Sequence, residues 1–267
     1  MLNEINAIYV NEGFLGKVYS TGAVDQRNVF LNGKRKGVRA YTATSDNVAS
    51  FTLYAPVGKS DATAEPFADM NLKNVQMMAL SNSIGEGRER NEFLEYVLYA
   101  DAVRVGGVSE FNEDIEPSLV ALKFPGGNVT DVIDFEKTLG NLMYLSHTPV
   151  FVYEEGANGR NERTDEITGY EMIVVSTKTK KQYKINFDRP DVDFKGIRIR
   201  NVITLDIERV GFYQDGGATT QGSTISIKAF GVKKKELKGT HASQKADHVA
   251  QENTKVGKAK KVNGVED

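Results

Sequence analysis

The stretch Gly169–Phe187, GYEMIVVSTKTKKQYKINF, decides the fold class. In YEMIVVS and in KQYKINF, apolar and polar side chains alternate, so that each segment would place one face on a core and the other in solvent. The polar run TKTK between them predicts a tight turn and therefore an antiparallel hairpin. The same alternation recurs in STISIKAF, from Ser223 to Phe230. The pattern predicts an all-β fold.

The order of these segments occurs twice along the chain. The matching segments are LGKVY at 15–19 with LGNLM at 139–143, LKNV at 72–75 with IRNV at 199–202, and YADAVR at 99–104 with KAFGVK at 228–233. Their nearly constant spacing favours a tandem duplication. The alternative is a chance match, because all-β chains share a limited set of strand and turn patterns.

The repeat predicts two similar small antiparallel β domains, each a barrel or a sandwich. We expect the first domain over residues 1–106 and the second over residues 131–233. Residues 107–130 would form a linker, and its apolar centre SLVALKF predicts packing against one of the domains. From residue 234 onward the chain has no aromatic residue and is rich in lysine, which predicts a disordered basic tail over 234–267.

Composition excludes several classes of protein and site. The 267 residues include no cysteine, which excludes disulfides, thiolate-bound zinc and thiol nucleophiles and favours a cytoplasmic location. No run of about eighteen apolar residues is present, so we expect no membrane span. The amino terminus lacks the basic and apolar regions of a secretory signal. The net charge of −2 gives no overall basic field, so any affinity for nucleic acid needs local patches.

The sequence shows no catalytic constellation. His147, His241 and His248 are spread along the chain without metal-ligand spacing. The glycines at 85–87 and 126–127 lack the lysine and the helix start of a phosphate-binding loop. We therefore expect a non-enzymatic protein with no cofactor and no metal. An enzyme that uses only carboxylates brought together from distant strands ranks last among the hypotheses.

Basic residues run into tyrosines at similar places in both units. Single-strand binding needs this combination, with cations for phosphates and aromatic rings for bases. The candidate nucleic-acid-binding residues are Arg35, Lys36, Arg39, Tyr41 and Lys73 in the first unit, and Lys180, Lys181, Tyr183, Arg198 and Arg200 in the second. The competing interpretation is that basic hairpin tips protect strand edges while the tyrosines pack in the core.

The second unit resembles the YdcP-like proteins. The resemblance lies in FEKTLG at 135–140, a polar loop, Gly169-Tyr170, a strand that ends at Ser176, and the stretch 192–207. Members of that family are encoded on conjugative transposons and plasmids of Gram-positive bacteria, beside relaxase and transfer genes. The resemblance implies a cytoplasmic accessory protein that binds single-stranded DNA or acts with relaxase or replication proteins. It implies no catalytic residues, and the tandem arrangement departs from the single-unit members.

Two hypotheses about function follow. The first is a non-enzymatic accessory protein of a plasmid, conjugative transposon or phage that binds single-stranded DNA or a DNA-processing complex. The second is a structural or assembly protein whose β domains associate with one another as a homo-oligomer. Binding to DNA that weakens steeply with salt would support the first hypothesis, and a defined oligomer without DNA would support the second.

Overall fold

The computed structural model describes residues 2–31, 34–84, 91–108, 122–156, 159–215 and 222–236. Within them the chain is mostly β-strand with two short α-helices, which confirms the all-β prediction. No helix in this part of the chain is long and apolar enough to cross a membrane. Residues 109–121 of the predicted linker and residues 237–267 of the predicted tail lie outside the described residues.

The first half of the chain is dominated by a long hairpin and five later strands. Its elements are β1 (Glu4–Ile5), β2 (Ile8–Tyr9), α1 (Glu12–Leu15), β3 (Val18–Leu31), β4 (Lys34–Ser45), β5 (Phe51–Pro56), a 3₁₀ turn (Val57–Lys59), β6 (Pro66–Lys73), β7 (Gln76–Ile84), β8 (Asn91–Tyr99) and β9 (Ala102–Val108).

The second half repeats the short helix and the long hairpin. Its elements are a 3₁₀ turn (Pro125–Gly127), α2 (Phe135–Leu139), β10 (Leu142–Glu155), β11 (Asn161–Ser176), β12 (Gln182–Phe187), β13 (Val202–Asp215) and β14 (Gly222–Lys234).

The six-stranded sheet closes into a barrel. Its strand order is β1-β14-β12-β11-β10-β13, and β13 also pairs with β14, so that β10 to β14 form a closed ring of five strands. All pairs are antiparallel except β12 with β14, which run in parallel at Ile185↔Ile227. A five-stranded barrel with the order 1-2-3-5-4-1 and this parallel pair has the arrangement of the OB-fold.

The eight-stranded sheet has the same arrangement with two of its strands broken. Its order is β2-β7-β8-β5-β4-β3-β6-β9, and β5 runs parallel to β8 at Leu53↔Leu98. Because β6 pairs with β3 and β9 while β7 pairs with β8, the strands β6 and β7 together stand where β13 stands in the second half. Likewise β8 and β9 stand where β14 stands. We call the two sheets the first barrel and the second barrel.

Each barrel begins with a short helix that ends at a glycine. Gly16 follows α1 with a φ of 68°, and Gly140 follows α2 with a φ of 66°. A Cβ on Gly16 would lie 2.9 Å from the Asp46 side chain, and one on Gly140 would lie 2.8 Å from Thr177 Oγ1. Both the positive φ and the close approach favour glycine. The two segments that the sequence matched here therefore form the same turn.

One predicted match between the copies is wrong in register. The sequence comparison aligned Leu72 with Ile199. In the structure Leu72 pairs with Val103, and Leu205 pairs with Val232. Val232 is the counterpart of Val103 in the second half. The counterpart of Leu72 is therefore Leu205. Both segments have an asparagine before an apolar strand, and this local likeness misled the comparison because pairing between strands is not a local property.

One continuous apolar core runs through both barrels. Buried side chains from each barrel, such as Tyr41, Met172 and Phe212, belong to a single cluster. The Tyr96 hydroxyl of β8 donates a hydrogen bond to the Phe212 carbonyl of β13, at 2.9 Å. The chain up to Lys234 accordingly forms one compact unit. The boundaries at residues 106 and 131 stay predictions.

The described end of the predicted linker packs on the core, as its apolar sequence led us to expect. Leu122 and Phe124 lie against the core cluster, and the Phe124 ring meets the Tyr96 ring edge-on with centres 5.0 Å apart. The Gly126 carbonyl accepts hydrogen bonds from the Tyr213 hydroxyl and from the Arg209 guanidinium, both at 3.0 Å. These contacts attach the linker end to β13.

Candidate nucleic-acid interface

The outer face of the first barrel presents two neighbouring tyrosines. In β5, Leu53 and Ala55 are buried in the barrel, so the side chain between them, Tyr54, points outward. The parallel pairing of β5 with β8 places Tyr54 beside Tyr99. The outer face therefore carries an aromatic pair at the junction of two strands.

A cation stands near each of these rings. Arg27 Cζ lies 5.8 Å from the centre of the Tyr54 ring, and Lys36 Nζ lies 5.4 Å from the centre of the Tyr99 ring. Both distances fall within the ~6 Å over which cation–π attraction acts. Arg27 also forms an exposed ion pair with Asp25 at 3.3 Å, which adds little stability. The face thus combines the two side-chain types that hold single strands.

The two tyrosines belong to a small apolar cluster that is separate from the main core. Tyr99 is buried in this cluster together with Val38 and Met78, and Tyr54 packs against it. Tyr99 is only 9% exposed, and its burial, followed by the nearby Asp101 carboxylate, raises the pKa of its phenol. Tyr54 is half-buried and keeps part of its ring accessible. Tyr54 is therefore the ring that a base can reach.

Of the cations predicted in the first unit, Lys36 belongs to this outer face. Arg35 is exposed on the opposite side of β4, because neighbouring residues of a strand point to opposite faces. The Arg39 guanidinium donates a hydrogen bond to the Ser60 carbonyl at 3.1 Å, at one end of the barrel. Lys73 is exposed at the end of β6.

The two tyrosines named from the sequence lie inside the barrels. Tyr41 and Tyr183 are each 0% exposed. The Tyr41 hydroxyl donates to the Asp61 carbonyl, and the Tyr183 hydroxyl lies 3.0 Å from the Thr179 hydroxyl. Burial raises the pKa of both phenols. Neither ring can stack on a base, so the predicted binding role does not fit these two positions and the core-packing interpretation does.

The cations predicted in the second unit lie in connecting segments. Lys180 is in the turn between β11 and β12 with a φ of 59°. Lys181 forms an ion pair with Glu4 at 3.0 Å, and this contact lowers the pKa of the Glu4 carboxyl. Arg198 and Arg200 are exposed in the segment between β12 and β13. These four residues do not form a strand face like that of the first barrel.

The corresponding face of the second barrel has a different chemistry. Asn186 and Lys228, which pair in parallel register, stand where the first barrel has its two tyrosines. Lys184 forms an ion pair with Glu171 at 2.7 Å, and Lys228 forms one with Asp188. A cleft of about 370 Å³ lies on this face. Its cations are paired with carboxylates, so this face offers less free positive charge than the first.

Sequence analysis missed Arg27, Tyr54 and Tyr99. The alternation in FTLYAP already places Tyr54 on the strand face opposite Leu53, so a local signal for this residue existed. Arg27 and Tyr99 had no such signal. They reach the same surface only because β3, β4, β5 and β8 lie side by side in the sheet.

Histidine and acidic side chains in the described part of the chain do not gather into a metal site. No group of three or more histidine, aspartate or glutamate side chains among them is placed to hold a metal ion. His147 stacks on Phe194 with ring centres 4.0 Å apart, and its Nδ1 lies 2.7 Å from the Tyr144 hydroxyl. His241, His248 and the glycines at 85–87 lie outside the described residues.

No family model, curated protein or solved structure matches this chain.

Proposed function

We propose that this chain is a non-enzymatic protein that binds single-stranded DNA on the outer face of its first barrel. The observation that carries the proposal is the pair of adjacent tyrosines, Tyr54 and Tyr99, each with a cation near its ring. An aromatic ring on a strand face accepts a base by stacking, and the neighbouring cations attract the phosphates.

The barrel type agrees with this location of the site. Five-stranded barrels of this strand order commonly bind oligonucleotides on the face of their second and third strands. In the first barrel those strands are β4 and β5, which carry Lys36 and Tyr54. Because one fold serves many functions, the side chains on that face support the proposal and the fold alone does not.

Local charge would have to supply the electrostatic attraction, because the net charge of the whole chain is −2. Arg27 and Lys36 lie on the hairpin beside the candidate site. If two phosphates are neutralised, the logarithm of the binding constant falls with the logarithm of salt with a slope of about −1.4. Binding should therefore be clear at low salt and weak at physiological salt.

The biological setting that we propose is a mobile genetic element. The resemblance of the second unit to the YdcP-like proteins supports a cytoplasmic accessory role in the replication or transfer of a plasmid, conjugative transposon or phage. Relaxase or replication proteins would then be its partners. In that setting, single-stranded DNA is the substrate on which the partner enzymes act.

The test is fluorescence anisotropy with labelled single-stranded and double-stranded oligonucleotides across a salt series. Tyr54→Ala should weaken single-strand binding about 5- to 150-fold, since stacking is worth about 1–3 kcal/mol per base. Tyr153→Ala removes an exposed tyrosine of the second barrel and serves as the matched control. No binding at low salt, equal binding to duplex DNA, or equal loss in both variants would contradict the proposal.

A second candidate function is that of an assembly protein that associates with copies of itself. The observation that favours it is the pair of long hairpins, β3–β4 and β10–β11, which extend past the strands beside them. Unpaired strand edges of this kind readily accept another chain. A defined oligomer in the absence of DNA, together with no binding to DNA, would favour this function over the first.

A further inference from the structure

Each barrel has a hairpin that continues beyond the barrel wall as a two-stranded ribbon. In the first barrel β4 meets β5 only from Val38 onward, and in the second barrel β11 meets β12 only from Tyr170 onward. We call residues 28–31 with 34–37 the basic ribbon and residues 150–156 with 159–167 the acidic ribbon. Within the described strand pairings neither ribbon has a third strand. Two strands alone are only marginally stable in water, so an added neighbour would stabilise them.

The two ribbons carry opposite charge. The basic ribbon contains three cationic residues and no acidic residue, whereas the acidic ribbon contains five acidic residues and two cationic ones. They are corresponding hairpins of the two barrels, and their charges are complementary. Every copy of the chain carries both ribbons, so two copies present complementary surfaces to each other.

The acidic ribbon concentrates carboxylates. Glu154 and Glu155 follow each other in β10, and Asp165 and Glu166 follow each other in β11, so like charges lie close together and repel. Glu155, Asp165 and Glu166 are exposed. Among the described residues no ion pair neutralises Glu155, Asp165 or Glu166. A cationic partner surface would relieve this repulsion.

The acidic ribbon also offers apolar surface beside its carboxylates. Tyr153 is 61% exposed, and Arg163 lies over the Phe151 ring at 4.1 Å from its centre. Exposed tyrosine next to charged groups is a common composition of protein contact surfaces. The ribbon is therefore suited to bind another protein surface.

The basic ribbon has a side that the proposed DNA site does not use. Arg27 and Lys36 face the two tyrosines, whereas Arg35 points to the opposite side of β4. Arg35 is exposed, and no ion pair holds it within the described part of the chain. A partner can therefore contact Arg35 without covering the tyrosine face.

We infer that the acidic ribbon of one copy docks on the Arg35 side of the basic ribbon of a second copy. The two surfaces differ, so the contact is head-to-tail. One copy of a pair keeps its basic ribbon free and the other keeps its acidic ribbon free, which permits chains of copies. Strand edges of the two ribbons can add backbone hydrogen bonds to the charge attraction. The inference gives the self-association hypothesis a defined surface, and it does not require that DNA is bound.

The test is sedimentation of the full chain without DNA over a range of concentrations and salt. The wild type should exceed the monomer mass of 29.4 kDa as its concentration rises at low salt, and it should return to the monomer at about 0.5 M salt, where surface charges are screened. Arg35→Glu alone, or Glu154→Lys with Glu166→Lys, should weaken association at least about tenfold. All three changes in one chain should restore it, because both charges are then reversed.

A charge-matched control separates the ribbon from net charge. Glu65→Lys with Asp131→Lys makes the same change of charge as the double variant of the acidic ribbon. Both positions are exposed and lie outside both ribbons, so this control should leave association unchanged. Tyr54→Ala should also associate like the wild type, so a failure of the DNA proposal and a failure of this one are distinguishable. A wild type that stays monomeric at low salt, or ribbon variants that associate like the wild type, would overturn the inference.

Discussion

Asp61 lies in the β5–β6 connection, which closes one end of the first barrel, and its hydrogen bonds hold this connection in place. Its Oδ2 accepts a hydrogen bond from the Val105 amide and its Oδ1 accepts one from Arg104, each at 2.8 Å. Its own carbonyl accepts the hydrogen bond from the buried Tyr41 hydroxyl. The Val105 amide, followed by Arg104, lowers the pKa of the Asp61 carboxyl. Asp61 thus joins the β5–β6 connection to β9 through its side chain and to the barrel interior through its carbonyl.

Replacing this carboxylate should weaken the fold in a pH-dependent way. Asp61→Asn keeps the shape of the side chain but loses charge-assisted hydrogen bonds, so we expect a loss of about 1–3 kcal/mol at neutral pH. Because the folded pKa is depressed, this contribution is present above the unfolded value of about 3.9 and disappears as the pH falls through the lower folded value. Urea unfolding of both proteins from neutral pH to below pH ~4 measures the effect.

The control for that experiment is Asp131→Asn, which changes an exposed aspartate away from the closing segment. This variant should match the wild type at every pH. If Asp61→Asn were as stable as the wild type at neutral pH, or if its deficit did not shrink in acid, the carboxylate would not hold the segment.

The two barrels close their corresponding ends with different elements. In the first barrel the β5–β6 connection is tied by the hydrogen bonds of Asp61. In the second barrel the β12–β13 connection inserts Phe194, which stacks on His147 and meets Tyr170 and Phe187 edge-on, with ring centres 5.1 and 5.7 Å away. The two barrels share a strand order while their closing elements differ, and connections tolerate change better than paired strands.

Removing the Phe194 ring should release its connection while the barrel stays folded. We expect Phe194→Ala to raise hydrogen exchange and protease cleavage over residues 188–201, with a loss of about 2 kcal/mol because the ring is only partly buried. Ile199→Ala, which truncates a residue 67% exposed in the same connection, should change neither property. Equal exchange in the two variants would show that the aromatic contacts do not hold the segment.

At the scale of the whole molecule, the two copies share one core and have opposite surface chemistry. The first barrel carries the tyrosine and cation face and the basic ribbon, and the second carries paired charges and the acidic ribbon. A shared core predicts that the barrels unfold together, because neither can lose its packing without exposing the other. Because the surfaces of the two barrels differ, we expect that the barrels do not contribute equally to DNA binding.

Unfolding should therefore show one cooperative transition. In a urea series followed by hydrogen exchange, peptides from both barrels should lose protection at the same midpoint. Tyr96→Ala, which removes the ring that contacts Phe212 and Phe124, should lower that midpoint for both barrels by an amount worth about 2–3 kcal/mol. Tyr153→Ala is the control with an exposed ring. Two separate midpoints in the wild type would contradict a shared core.

The strands, the turns and the internal repeat could be read from the sequence because each depends on neighbouring residues. Alternation with a period of two identifies a strand wherever one face is buried, as in YEMIVVS, and the polar run TKTK marks the turn between β11 and β12. The cysteine-free composition likewise limits the chemistry without any knowledge of the fold. The sequence by itself therefore determined these properties.

Only the tertiary structure decided which side chains share a surface. Tyr41 and Tyr54 both stand in alternating strands, yet one is sealed inside the barrel and the other lies on its outer face. Which face of a strand becomes the interior depends on how the sheet closes, and the closure joins strands far apart in the chain. For the same reason the meeting of Arg27 with Tyr54, the pairing of Leu72 with Val103 and the isolation of the two charged ribbons were not predictable from local sequence.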